Sequence, residues 1–337
     1  LPILIGNTMA NDTVVRVVFK SSTPIGQGVP GQYMQRFIGR LEQQLQDLHF
    51  RPSVSMCDTD TCPADTDFVI VWGTFPRFLR SIPPQTCKAI FSFGAGVDHL
   101  VSVAHCIPKQ RGNDRIPLIR LTDDQRGQKM SEYVLFNVLR YITHAHTYRV
   151  QQEEALWSPV SHTYGVRVGF LGYGKLARHC HDAAKAFVPN VAVWTRTSRH
   201  PLKIHATLDQ FLGDTDVLIV LCPLTPETRH LLNERTLSLL PKGACLINAS
   251  RGPVVDTEGL KTVMQRGHLS FAALDVFETE PLPPSDSLWG MDNVYITPHC
   301  SAITSPMSVA RDMAGKMRQI CDGDTDVMGV VDMERMY

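Results

Sequence analysis

Charge of one sign is missing from this chain. Lys and Arg together equal Asp and Glu, 33 against 33, so the formal net charge is zero. No basic field is there to draw in nucleic acid or an anionic membrane, and neither is expected as a partner. Long hydrophobic runs are missing too. The longest, such as Val217–Cys222, are strand-sized, far short of the roughly 20 residues of a membrane span. The apolar start, Leu1–Ile5, has neither the charged flank nor the length of a secretory signal. Cysteine occurs nine times, an odd number, without framework spacing. Cys57 and Cys62 form a CxxxxC pair with no second pair of that kind, so no metal site is expected. Free thiols in a reducing compartment are expected instead, with the cytoplasm as the location. What remains is an ordinary globular composition, 43% apolar and 20% charged, over 337 residues. That is enough for two domains and a substantial core.

Segments of strand and helix character alternate along the first third. Val14–Lys20 is β-branched and apolar, and Phe68–Trp72, Ala89–Phe93 and Ile116–Leu121 are buried-strand candidates. Between them, Tyr33–Leu48 places Met34, Phe37, Ile38, Leu41, Leu45 and Leu48 at helical spacing. A long apolar helix follows over Ser131–His144, with Ser131 as a candidate cap. Gln151–Tyr164 is polar and aromatic without periodicity, and reads as an excursion from the core. A second β/α series has strands at Arg167–Leu171, Val191–Thr195, Val217–Leu221, Ala244–Asn248, Ala272–Val276 and Val294–Thr297. Six strands in such a series predict a doubly wound parallel sheet. The tail is helical from about Pro306 to Asp322. The fold class expected is α/β: a Rossmann-type nucleotide domain, residues 122–302, inserted into a flavodoxin-like substrate-binding domain, residues 1–121 and 303–337.

The second series opens on a dinucleotide signature. Gly172-Tyr173-Gly174-Lys175-Leu176-Ala177 is a GxGxxG variant that follows one strand, opens a helix and leads to another strand. Gly172 permits the tight turn, Gly174 lets a pyrophosphate approach a helix N-terminus, and Ala177 keeps helix and sheet close. The next strand ends in Val193-Trp194-Thr195-Arg196-Thr197-Ser198-Arg199. An NAD site usually has an acid here for the ribose 2′-hydroxyl. Two arginines and three hydroxyls suit a 2′-phosphate instead, so NADP(H) is the cofactor expected.

Three further motifs stand at strand C-termini, the rim where open α/β sheets bind ligands. Asn248–Asp256 brings Arg251, Asp275–Pro281 brings Glu280, with Glu278 as a rival acid, and Thr297-Pro298-His299 brings His299. An arginine can hold a carboxylate, a histidine can give a proton, and a glutamate can orient that histidine.

With Phe93–Asp98, Met130–Tyr133, Ala155–Trp157, Trp194–Arg199 and Thr297–Thr304, these motifs make the chain resemble the D-isomer-specific 2-hydroxyacid dehydrogenases. Within them it looks most like the NADPH-using glyoxylate/hydroxypyruvate reductase branch. The resemblance implies that His299 is the general acid, Glu280 its orienting carboxylate, and Arg251 the residue that binds the substrate carboxylate and polarises its carbonyl. It implies backbone N–H groups for the carboxylate from Gly94, Ala95 and Gly96, and an aromatic wall at Trp72. Asp275 would face the nicotinamide carboxamide, while Met130, Cys222, Pro223, Ala249 and Ser250 would line the cofactor cleft. The implied reaction is reduction of glyoxylate, hydroxypyruvate or a similar small 2-keto acid to the D-2-hydroxy acid. The alternatives are bulkier 2-keto acids, or a dinucleotide-sensing protein like the corepressor that shares this fold. Ser131–His144 and the excursion after it resemble elements through which family members form homodimers.

Overall fold

The structure is a computed structural model that describes residues 13–22, 28–110, 114–161, 164–196, 205–303 and 305–333. Contacts divide the chain into two compact units, Leu1–Asp123 with Thr304–Tyr337, and Asp124–Ile303.

The first unit runs β1 (Val14–Ser21), α1 (Gly28–Asp47), β2 (Arg51–Met56), β3 (Phe68–Trp72), α2 (Pro76–Arg80), β4 (Ala89–Ser92), α3 (Asp98–Val101) and β5 (Leu118–Ile119). Its strands pair in parallel in the order β2-β1-β3-β4-β5. This is the flavodoxin-like order. All four residues of β4 and the first four of β3 are buried, as a parallel sheet covered on both faces requires. On one face Val15, Val17 and Phe19 meet Phe37, Leu41 and Leu45 of α1. On the other, Val18, Val69, Val71 and Ile90 meet Phe78 and Leu79 of α2. Each fully buried side chain of this kind contributes roughly 1.5–3 kcal/mol. The edge strand β2 has no counterpart in the sequence reading. Its pattern, Arg51-Pro-Ser-Val-Ser-Met56, alternates exposed with half-buried positions and forms no apolar run.

The second unit starts with α4 (Asp124–Ile142) and α5 (Ala145–Glu153) and continues β6 (Arg167–Leu171), α6 (Lys175–Ala184), β7 (Asn190–Trp194), α7 (Leu208–Gly213) and β8 (Val217–Val220). It ends with α8 (Glu234–Leu237), β9 (Ala244–Asn248), α9 (Thr257–Gln265), β10 (Leu269–Leu274) and β11 (Val294–Ile296). The parallel order is β11-β10-β9-β8-β6-β7. The chain moves outward from β6 to β7, then returns to the other side of β6 and proceeds to β11. This is the doubly wound arrangement, with its switch point between β6 and β8.

The long helix α4 corrects the expectation of a cap at Ser131. The helix begins seven residues earlier, and the buried Ser131 Oγ donates to the carbonyl of Gly127 one turn back, 2.9 Å. The polar first turns hid that start from an apolar-periodicity reading. The excursion after α5 leaves Trp157 99% and Tyr164 88% exposed. The tail helix α10 (Pro306–Cys321) belongs to the first unit, where Val309, Met313 and Met317 join the core of β1 and α1. Ser305 caps it by accepting the Ser308 N–H.

Candidate active site

The switch point brings the C-terminal ends of β6 and β8 side by side, and the glycine motif stands there. Gly172 has φ +97°, and an added Cβ would lie 2.7 Å from the N and Cα of Cys222. Only glycine lets the chain leave β6 so close to the segment after β8. Gly174 is different: a Cβ there would meet no protein atom within 4 Å. It directly precedes α6, whose first turn holds no acid and has no side-chain cap. The first N–H groups of such a helix, with its dipole, favour an anion. Ala177 packs in the core with Val168 and Phe170 and brings helix and sheet together. Tyr173, Lys175 and Leu176 complete the turn, and the buried Cys222 and exposed Pro223 flank it after β8. Met130 packs beside Ala177, a residue of the glycine-motif helix. It is 3% exposed and shares the apolar cluster of Val134 and Ala177, where its flexible thioether fills core space.

At the end of β7, Thr195 is half-buried and Arg196 exposed. Arg196 Nη1 lies 2.7 Å from Glu227 Oε2, and the same oxygen accepts from Thr225 Oγ1 at 2.7 Å. These bonds, Thr225 first, bring the Glu227 carboxyl down to about 2. Arg196 is therefore an anchored cation. Nothing local in the sequence marks Glu227 as its partner, because the two loops meet only through the sheet. Thr197, Ser198 and Arg199 lie outside the described residues.

The three chemical motifs are placed by the ends of β9, β10 and β11. After β9, Asn248 folds the chain back: its Oδ1 accepts from Ser250 N and Oγ, and its Nδ2 donates to the Arg251 carbonyl. Ala249 and Ser250 are buried behind this turn. Arg251 opens a 3-10 turn, Gly252–Val254, and its Nη1 donates to the Ser250 carbonyl at 2.7 Å. Gly252 is obligatory, since an added Cβ would run into the Phe277 carbonyl.

Asp275 follows β10 and is wholly buried. Its carboxylate organises the next loop. Oδ1 accepts from Thr297 Oγ1 at 2.6 Å and Cys300 N at 2.9 Å, and Oδ2 accepts from Ser301 N at 3.0 Å. Its carbonyl accepts the His299 N–H at 2.8 Å. Between these anchors His299 takes φ +50°, a left-handed conformation uncommon outside glycine. Held this way, His299 Nδ1 lies 2.8 Å from Glu280 Oε2, while Glu280 Oε1 accepts the Phe277 N–H at 2.9 Å. Burial opposes ionisation of Glu280. The bonds from His299 and Phe277, with the Arg251 charge, outweigh it and hold the carboxyl below its ordinary range. The rival acid, Glu278, pairs with His230 instead, at 2.8 Å. With Nδ1 donating to Glu280, the tautomer leaves Nε2 as the nitrogen available for proton transfer.

In the first unit, Gly94, Ala95 and Gly96 follow β4, and the Gly94 N–H donates to Ser92 Oγ at 3.2 Å. Trp72 ends β3, 43% exposed, with its ring 4.6 Å from that of Phe93. Both therefore stand at the C-terminal ends of adjacent strands. Among the described residues, no helix is long and apolar enough to cross a membrane.

Comparison with known proteins agrees with this geometry. Residues 133–301 match the family model described as D-isomer specific 2-hydroxyacid dehydrogenase, NAD binding domain. A D-isomer specific 2-hydroxyacid dehydrogenase from Xanthobacter autotrophicus, solved with NADPH and MES, is 32% identical, with a TM-score of 0.81 over 96% of this chain and 99% of that one. An NADPH-dependent glyoxylate/hydroxypyruvate reductase from Sinorhizobium meliloti, solved with NADP and sulfate, is 27% identical, with a TM-score of 0.80 over 96% and 100%. A probable 2-hydroxyacid dehydrogenase from Rhizobium etli, solved with NADP, HEPES and L(+)-tartaric acid, is 26% identical, with a TM-score of 0.79 over the same shares. The family match over half of the chain, with 32% identity to one member across 96% of it, places this chain among the D-isomer specific 2-hydroxyacid dehydrogenases.

Proposed function

We propose that the chain reduces glyoxylate, hydroxypyruvate or a similar small 2-keto acid to the D-2-hydroxy acid, with NADPH as hydride donor. The observation that carries this reading is the 2.8 Å pair of His299 and Glu280, close enough to Arg251 for its charge to bias the glutamate. Arg251 binds the substrate carboxylate and draws charge from the carbonyl, which orients the keto carbon. As the imidazolium, His299 gives its Nε2 proton to the carbonyl oxygen as negative charge develops there, and is left as the neutral Nδ1–H form. Glu280 orients the ring through Nδ1, stabilises its positive charge, and fixes the tautomer left after the transfer. When bound, the reduced nicotinamide supplies the hydride.

The residues present suit such a cofactor. The open position beside Gly174 and the uncapped start of α6 would take the pyrophosphate. Thr195 and Arg196, with Thr197 and Arg199 by sequence, would take the 2′-phosphate. Similarity to two 2-hydroxyacid dehydrogenases and a glyoxylate/hydroxypyruvate reductase solved with NADPH or NADP supports the same choice. Residues 122–302 form the dinucleotide domain on this reading, and residues 1–121 and 303–337 the substrate-binding domain. The glycine loop and exposed Trp72 at the C-terminal ends of β3 and β4 support the latter role.

Initial rates with glyoxylate and hydroxypyruvate, each with NADPH and NADH, test the reading. Turnover is expected with NADPH and little with NADH. Arg196→Ala should raise the KM for NADPH by about 10-fold or more, the value of one charge-assisted phosphate contact. It should leave NADH kinetics nearly unchanged. Equal loss with both cofactors, or a preference for NADH, would remove the phosphate role.

A homodimer working in the cytoplasm completes the proposal. All nine cysteines are free thiols, which suits a reducing compartment. Leu156, Trp157 and Tyr164, each more than half exposed, offer apolar surface beside α5. Light scattering should give twice the 37.6 kDa chain mass, and Trp157→Glu should shift the particle toward the single-chain value. A single-chain mass for the wild type would reject the dimer.

A further inference from the structure

Three backbone segments are laced together beside Arg251. The Pro253 carbonyl accepts the His230 N–H at 2.8 Å, the Val254 carbonyl accepts the Leu232 N–H at 3.1 Å, and Asp256 N donates back to the Leu232 carbonyl at 2.8 Å. On the other side, Gly252 lies against Phe277 and Glu278 so closely that no side chain fits between them. One carboxylate joins all three. Glu278 Oε1 accepts the N–H of Thr257, the first residue of α9, at 2.9 Å, and Glu278 Oε2 meets His230 Nε2 at 2.8 Å. The Asp256 carboxylate shares this corner, with ligand atoms of the three side chains within 4.8 Å of one another. His230 holds φ +50°, an unusual conformation for a residue other than glycine. That conformation lets one residue reach Pro253 with its backbone and Glu278 with its ring.

The same short turn serves two histidines. Glu278 is tied to the segment that presents Arg251, and Glu280, two residues later, is tied to His299. We propose that Glu278 and His230 are positioning residues whose hydrogen-bonded clamp sets Arg251 in register with the Glu280–His299 pair. They act on substrate through Pro253 and Gly252, and the clamp rests on the reading of Arg251 as the carboxylate binder. Nothing in the spacing of the sequence pairs position 230 with position 278. Glycine would satisfy the backbone at 230 more easily, and it would lose the ring contact.

The test measures kcat, the KM for glyoxylate at saturating NADPH, the NADPH dissociation constant and the thermal midpoint. It compares wild type, His230→Ala, Glu278→Ala, Glu278→Gln and the double alanine variant. A small misplacement of an orienting group costs up to about 100-fold. Because a carboxylate contact is made in both ground and transition states, its loss falls mainly on KM. The KM should rise about 10-fold in Glu278→Ala and in His230→Ala, with the NADPH dissociation constant unchanged. The double variant should be no worse than the poorer single one, since the two act as one clamp. Glu278→Gln keeps an oxygen for Thr257 and an amide for His230, and should recover most of the loss. A lowered midpoint with KM unchanged would overturn the clamp and leave a structural pair. A rise in wild-type KM on treatment with a chelator would place a divalent cation in this corner and overturn the direct bond. Wild type without turnover on glyoxylate or hydroxypyruvate would end the functional reading, and the clamp with it, before any variant is compared.

Discussion

His299→Ala lowers kcat by about a thousandfold and leaves the NADPH dissociation constant within about twofold; this is the largest effect expected of any single change. General acid catalysis contributes about 10²–10⁴-fold. His299 is half exposed on its turn, and its Nδ1 is committed to Glu280. Its removal takes the proposed proton donor without touching the glycine turn at the switch point. Stopped-flow turnover and a fluorescence titration with NADPH separate the two effects. Joint loss of turnover and cofactor binding would show His299 to be structural. The pair also sets the acid side of the pH profile. Because the folded Glu280 carboxyl is held below its ordinary range, its charge is present above the unfolded value. It is lost only as pH falls through the lower folded value. Activity on the acid side should therefore persist to below the usual carboxylate range before the Glu280 contribution fails.

Arg251→Ala is the second large effect, a loss of about 10³-fold in kcat/KM for the keto acid. Removing one preorganised donor to a developing oxyanion costs about 10²–10³-fold, and the carboxylate contact adds to it. Arg251→Lys should recover only part, because an ammonium lacks the planar fork that meets a carboxylate in two bonds. The backbone of the turn is held by Asn248 and by Gly252 against Phe277, independently of the guanidinium. The fold should survive, as an unchanged circular dichroism spectrum and thermal midpoint would show. Retained kcat/KM in a folded Arg251→Ala would take the carboxylate site away from this residue.

Local chemistry made much of this legible in advance. The apolar runs of β3, β4, β8 and β9 are strands buried on both faces, and such runs register directly in sequence. Gly172 was readable because a tight turn after a strand admits no other residue. The turns that carry Arg251, Glu280 and His299 were legible because each follows a strand, β9, β10 or β11. The edge strand β2 was not, since a half-buried edge needs no apolar run.

Chain order and side-chain period thus determined two parallel α/β sheets and a glycine turn between a strand and a helix. The resemblance already paired Glu280 with His299; tertiary structure alone decided the other partnerships: Glu278 with His230, Glu227 with Arg196, and buried Asp275 with the turn that holds His299. The physical reason is that burial leaves a periodic mark along the chain. A hydrogen bond between two loops depends on where separate strands end, which no local spacing records.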